Sequence, residues 1–242
     1  MSDLVTILGE AIPADHAEQV TLGRMLGEHL RDLAAAGRTE PLRVLDLGCG
    51  DGRSVAVFDA APVPVDYLGV DIESSPEVDG RVRRDPRLLT YDGVNLPFPE
   101  GRFDLVHTQQ VLEHVRHPDA LMAEVRRVLA PGGLLLGSVS FLEPYHSYSV
   151  FNWSPWGIVT VLRDAGLAPL WLRPGVDGAT LALRSVFFSR RKVFNRWFGR
   201  PSPLNRLHDR LGRRRGADVR RLNAMKLTTA GHIVFAARRP EG

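Results

Sequence analysis

The chain has 242 residues, 44% of them apolar, which suits one α/β core with a further elaboration. Its one cysteine, Cys49, excludes an intramolecular disulfide, and no apolar run approaches the ~20 residues of a membrane span. The Met-Ser-Asp-Leu start has neither a basic region nor a long apolar core, which argues against a secretory signal and predicts a cytoplasmic protein. The net charge of +3 is unevenly spread: from Arg184 to Lys226 fourteen Arg and Lys face two acids, a local +12 that leaves −9 for the rest.

In chain order, Val20, Leu22, Met25, Leu26, Leu30 and Leu33 repeat with a helical period and predict a helix over 15–36 that ends at Gly37, within an N-terminal helical cap over 1–40. Apolar runs predict strands at about 42–47, 65–71, 87–92, 103–108 and 133–140, with turns or helices between them, the pattern of a parallel doubly wound sheet. A helix over about 119–130 presents Leu121, Val125, Val128 and Leu129 on one face, and Pro131-Gly132-Gly133 is expected to stop it and turn into the next strand. Ser154-Pro155 supplies an N-cap and a first-turn proline for a helix that ends near Gly166. The last two strands read as 167–173 and 232–238, with a basic helical insertion over 178–228 between them.

The first strand runs into Asp46-Leu47-Gly48-Cys49-Gly50-Asp51-Gly52. Gly48, Gly50 and Gly52 permit positive φ and remove every Cβ where a ligand must touch backbone. A dinucleotide fingerprint would place its third glycine at Arg53, and no Lys-Ser/Thr follows, so neither that site nor a P-loop fits. Asp46, Asp71 and Asp92 fall at the ends of three successive strands, where open α/β sheets form their ligand crevice. Three acids there suit a ligand with a cationic amine, a ribose diol and an adenine amine.

These segments resemble the class I S-adenosylmethionine (SAM)-dependent methyltransferases, in particular the subgroup with a Leu-Glu-His-Val segment and members found with glycan and natural-product pathways. The likeness covers about residues 40–170: the turn at 46–52, Gly69-Val70-Asp71-Ile72, Tyr91-Asp92-Gly93, Leu96-Pro97-Phe98, Phe103-Asp104-Leu105-Val106, Val111-Leu112-Glu113-His114-Val115 and Val128-Leu129-Ala130-Pro131-Gly132-Gly133. It implies a seven-stranded Rossmann-like sheet in the order 3-2-1-4-5-7-6, last strand antiparallel. It also implies that the glycine turn faces the methionyl part of SAM, Asp71 takes the ribose hydroxyls, Ile72 packs on adenine, Asp92 accepts from the adenine amine with Gly93 beside it in the cofactor site, and the backbone near Gln109 closes over the methionine.

Methyl transfer to an alcohol asks for proximity and for a base that accepts the leaving proton. Of the histidines, His107 lies within a predicted strand and reads as structural, and His117 precedes Pro118 in a turn. His114 and His146 fall on the acceptor side and are the base candidates. Gln110, Glu113 and His114 would share one helical face. Ubiquinone-type O-methyltransferases have a similar Glu-x-x-Glu-His element that holds a divalent metal. The resemblance thus raises Mg²⁺ on Glu113 and His114, although Gln110 stands in place of the first acid; the alternative is that Glu113 and His114 only cap and orient the loop.

The stretch Phe141-Leu142-Glu143-Pro144-Tyr145-His146, continuing through Phe151-Asn152-Trp153, resembles the acceptor segment of glycan-pathway methyltransferases. Rings beside Glu, His and Asn suit a sugar. The expected function is O-methyl transfer to a saccharide or glycosylated metabolite; the alternatives are a small phenolic or lipid-linked acceptor, or an RNA-binding protein that uses the basic segment over 184–226. Phe187, Phe194, Trp197 and Phe198 suit one helical face, with a second basic helix from Leu204 to about Met225. Three readings stay open for this insertion: a lid or homodimer contact, a membrane-surface site over 184–226, and, less favoured, a nucleic-acid-binding face.

Overall fold

The computed structural model describes residues 3–145, 147–187 and 191–241. In chain order it contains α1 (Leu4–Leu8), a 3-10 turn (Gly9–Ala11), α2 (Leu22–Ala35), β1 (Leu42–Leu47), α3 (Ser54–Asp59), β2 (Val65–Asp71), α4 (Pro76–Asp79), β3 (Leu88–Thr90) and β4 (Phe103–Gln109). A second 3-10 turn (Leu112–His114) leads to α5 (Pro118–Val128), β5 (Leu129–Ser140), α6 (Pro155–Asp164), β6 (Ala168–Pro174), α7 (Gly178–Val186), α8 (Arg191–Asn195), α9 (Pro203–Arg214), α10 (Val219–Leu227) and β7 (His232–Arg238).

The seven strands form one sheet in the expected order β3-β2-β1-β4-β5-β7-β6, with β7 antiparallel to both neighbours. Leu42 to Leu47 is a near-continuous apolar run because a central parallel strand is covered on both faces. One face carries α2 and α3, whose Met25, Leu26, Leu30, Val55 and Phe58 pack with Val44, Leu105 and Leu136 of the sheet. The other carries α5 and α6, with Leu121, Val125, Ile158 and Leu162 against Leu45, Val106 and Val139. The parallel strands β1, β2 and β4 therefore point their carboxyl ends, and the loops that follow, toward one edge. Among the described residues no helix is long and apolar enough to cross a membrane.

Four expected elements change. The helix expected over 15–36 begins only at Leu22, where the Thr21 hydroxyl accepts from the Arg24 N–H as N-cap. Upstream, residues 13–20 form a strap with no regular secondary structure, so 1–40 is only in part a helical cap. The strap's carbonyls are taken from far along the chain: Asn223 Nδ2 donates to Pro13 O and His16 O at 2.9 Å, and Lys226 Nζ donates to Ala17 O. The helix expected to reach residue 130 stops at Val128. Leu129 already pairs with Phe103, and Pro131-Gly132-Gly133 bulges out before Leu134 pairs with Leu105, with Gly132 at φ +74°.

The single aromatic helix around 187–198 resolves into the end of α7, the short α8 and a turn. Phe187 and Phe194 stack at 6.1 Å, while Phe198 turns toward His232 at 5.6 Å. The basic helix over 204–225 is two helices, because Gly216 takes φ +71° and Asp218 starts α10 by accepting from the Arg221 N–H.

Candidate functional site

The glycine turn at the end of β1 is fixed by backbone. Gly48 and Cys49 N–H both donate to Val70 O, and Gly50 N–H donates to Asp71 Oδ2 at 2.7 Å. Gly48, Gly50 and Gly52 have φ of +74°, +51° and +78°. A Cβ at Gly48 would stand 2.2 Å from Val111 Cγ2, and one at Gly52 2.7 Å from Leu88 Cδ1. The turn is thus a cradle in which the loop after β4 touches the loop after β1. Cys49 is buried in it, and that burial, with Asp46 and Asp71 nearby, pushes its thiol up to about 12, so it is chemically inert.

Asp71 ends β2 beside the turn. Burial pushes its carboxyl above the ordinary value, against the opposing hydrogen bonds from Gly50 and Ile72 N–H. Ile72 is exposed, and the Cβ position of Gly93 lies 3.4 Å from its Cγ2, so the two form one apolar wall. Asp92, beyond the end of β3, is exposed; the Asn95 side chain, then the Val94 and Asn95 N–H groups, hold its carboxyl below the ordinary value. Gln109 is the exposed last residue of β4.

Asp46 does not join this line of acids. It faces His107 across the β1–β4 register, and its two oxygens are engaged by His107 Nδ1 at 2.7 Å and the Tyr67 hydroxyl at 2.9 Å, all three buried. Asp46 therefore braces the sheet beneath the cradle, and His107 is structural, as its strand position predicts.

Beyond Val111 the crevice changes character. The expected helical face over Gln110, Glu113 and His114 is absent: Gln110 sits at φ +55°, a region that favours glycine, and Leu112–His114 is a single 3-10 turn. His114, half-buried, closes that turn with its N–H on Val111 O. Gln110 and Glu113 nonetheless meet, at Ser140, the last residue of β5. Ser140 Oγ lies 2.6 Å from Gln110 Oε1, 3.0 Å from Glu113 Oε1 and 2.5 Å from Glu143 Oε2.

One hydroxyl proton cannot serve three acceptors. Both carboxyl contacts are satisfied only when one carboxyl carries its own proton. Of the two, Glu113 is the fully buried one: burial pushes its carboxyl above the ordinary value, and its Oε2 has no hydrogen-bond partner among the described residues. With that proton on Glu113, Ser140 donates to Glu143; with it on Glu143, Ser140 donates to Glu113. The Gln110 amide Nε2 in turn donates to Ser138 Oγ at 3.3 Å.

Glu143 Oε2 also accepts from His232 Nε2 at 2.8 Å. His232 opens β7 as the register partner of Ser140, and both side chains bond Glu143 Oε2. Sequence reasoning missed the Glu143–His232 pair, since the two residues are 89 positions apart; the antiparallel pairing of the strands at 133–140 and 232–238 was the signal that could have found it. His146 lies outside the described residues. Among the described residues no three His, Cys, Asp or Glu side chains assemble as metal ligands, and Glu113 is turned inward to Ser140. The residues present do not fit the divalent centre that the resemblance raised.

The sheet order, the glycine cradle and the strand-end acid Asp71 together define a class I methyltransferase architecture. The methyltransferase-domain family matches residues 18–171, and the chain belongs to this family of SAM-dependent enzymes. It is 28% identical to a fatty-acid O-methyltransferase of Mycolicibacterium smegmatis over 83% of this chain and 73% of that one. It is 29% identical to a ubiquinone biosynthesis O-methyltransferase of Cereibacter sphaeroides over 61% and 68%. The fold aligns with the crystal structure of a putative sarcosine dimethylglycine methyltransferase from Galdieria sulphuraria at TM-score 0.56 and 14% identity, over 98% of this chain and 97% of that one. The chain spans only 28% and 37% of the length of two further curated relatives.

Proposed function

We propose that this protein transfers a methyl group from SAM to an oxygen of an acceptor with a largely apolar body. The observation that carries the reading is the Ser140–Glu143–His232 cluster, built at the same sheet edge as the glycine cradle. SAM, when bound, supplies an electrophilic methyl carbon on a sulfonium. The chain's own part is to hold it and to take a proton. The Gly48–Gly52 turn leaves room for backbone contact, Asp71 offers carboxylate lone pairs for hydroxyl donors, Ile72 and Gly93 offer an apolar wall, and Asp92 and Gln109 border the same crevice. Glu143 fixes His232 with Nε2 as donor, so the neutral ring keeps Nδ1 as the proton acceptor for an acceptor hydroxyl. His114 and His146 are the competing bases.

The acceptor follows from what is exposed and what is engaged. Leu142, Tyr145, Tyr148, Val150, Phe151 and Trp156 are all exposed in the segment after β5. The polar groups that a sugar would need are held internally: Glu143 by Ser140 and His232, Asn152 by its own bond to Glu143 O. A lipid-like hydroxyl or carboxyl therefore fits better than a saccharide, and the fatty-acid and ubiquinone O-methyltransferase relatives support the same choice. The saccharide reading stands second, on the rings of Phe151 and Trp153 at 5.8 Å.

The test is transfer of labelled methyl from SAM to fatty acids, prenylated phenols and oligosaccharides, each with and without EDTA. Label in the lipid fraction, insensitive to EDTA, is expected; label confined to oligosaccharides would restore the saccharide. His232→Ala should lower kcat by about 10²–10⁴-fold with SAM affinity kept. Wild-type turnover in that variant would return the base to His114 or His146.

A further inference from the structure

Helix α9 is amphipathic in the reverse sense for a surface helix. Its inward face is polar: Asn205 Nδ2 donates to Gln19 Oε1 at 2.7 Å and to Gly175 O at 3.1 Å, and Asp209 pairs with the buried Lys226 at 2.6 Å. Gly212 also faces inward, where a Cβ would stand 2.4 Å from Leu222 Cδ2. The leucines lie outside. Leu207 is 46% and Leu211 36% exposed, one helical turn apart, and Leu204 is half-buried behind them. A surface helix ordinarily turns such a stripe to the core.

The outward leucines are flanked by exposed Arg206 and Arg210. Arg213 and Arg214 in the last turn are accounted for by the helix dipole, and Arg206 lies over the Trp197 ring at 5.2 Å; Arg210 has neither role. Both acids of the segment from Arg184 to Lys226 are engaged, Asp209 with Lys226 and Asp218 as the cap of α10, against fourteen Arg and Lys. The same insertion exposes Leu183, Val186, Phe187 and Val193 on α7 and α8.

We propose that the outer face of α9 docks on an anionic lipid bilayer, leucines entering the headgroup boundary and arginines meeting lipid phosphates. A nucleic acid would match the arginines and leave Leu207 and Leu211 without a partner. A second copy would bring two strongly basic faces together. The inference rests on α9 itself and does not require the acceptor chemistry proposed above.

The experiment is co-sedimentation of the full chain with vesicles of phosphatidylcholine alone and with about one-third phosphatidylglycerol, with SAM binding measured on the same samples. The wild type should sediment with the anionic vesicles and far less with the neutral ones. Leu207→Ser with Leu211→Ser should weaken that binding about tenfold. Arg206→Gln with Arg210→Gln should weaken it about twentyfold, an effect lost on neutral vesicles. Both variants should keep the wild-type circular dichroism, melting temperature and SAM affinity, so a failure to dock is separable from a failure of the methyltransferase reading. Three results would overturn the proposal: no sedimentation of the wild type with anionic vesicles, wild-type sedimentation by the leucine variant with RNA as an effective competitor, or a solution dimer that the leucine variant dissolves.

Discussion

The two ends of the crevice are specified in different ways. At the cradle end, the turn at 48–52 is held by backbone bonds to Val70 and by Asp71, and its geometry needs glycines at positive φ. At the acceptor end, Gln110, Glu113, Ser140, Glu143 and His232 come from two strands and two loops, and their functional groups meet through side-chain hydrogen bonds. Backbone demand at one end tolerates almost no substitution. Side-chain networks at the other can be altered one member at a time, which is where differences in acceptor are expected to reside.

The strongest way to break this contrast is Gly48→Val. The φ of +74° and the clash with Val111 leave no room for a side chain, so SAM binding should become undetectable by calorimetry. Affinity within tenfold of wild type would show that the cradle is not the rigid partner. His232→Ala probes the other end, where only turnover should fall.

The same contrast explains what was legible in the sequence. The strands read correctly because buried parallel strands are apolar runs that close on Gly or Asp, as at Leu42–Leu47 and Val65–Asp71. The positive φ at Gly48, Gly50 and Gly52 was legible because their spacing is local. Asp46 misled, since only the register with His107 shows that its carboxylate is already engaged. The break between α9 and α10 is local, at Gly216 and Asp218, whereas the strap over 13–20 was invisible to periodicity, because its partners lie about 180 to 210 residues away.

Gln19 makes that last point testable. It is buried, donates to Trp197 O at 2.5 Å and Arg200 O at 3.1 Å, and accepts from Ser202 N and Asn205 Nδ2. Gln19→Ala strands several buried groups at once and should cost about 2–3 kcal/mol in chemical denaturation, with faster proteolysis at 196–202. An unchanged midpoint would mean that the insertion is anchored by its apolar contacts alone.

The smallest expected effect sharpens the acceptor end. Burial raises the Glu113 carboxyl above its ordinary value of 4.5, so the folded chain keeps a proton that the unfolded chain releases. The stability from that neutral group is fully present below pH 4.5 and is lost as pH rises toward the folded value. Glu113→Gln cannot titrate, and its amide still donates to Ser140. The variant should therefore melt at the wild-type temperature in acid and above it at neutral pH, the gap widening with pH. A gap that stayed constant, or closed as pH rose, would mean that Glu113 is ionised in the fold. The extra proton would then belong to Glu143, and the direction of the Ser140 hydroxyl would be reversed.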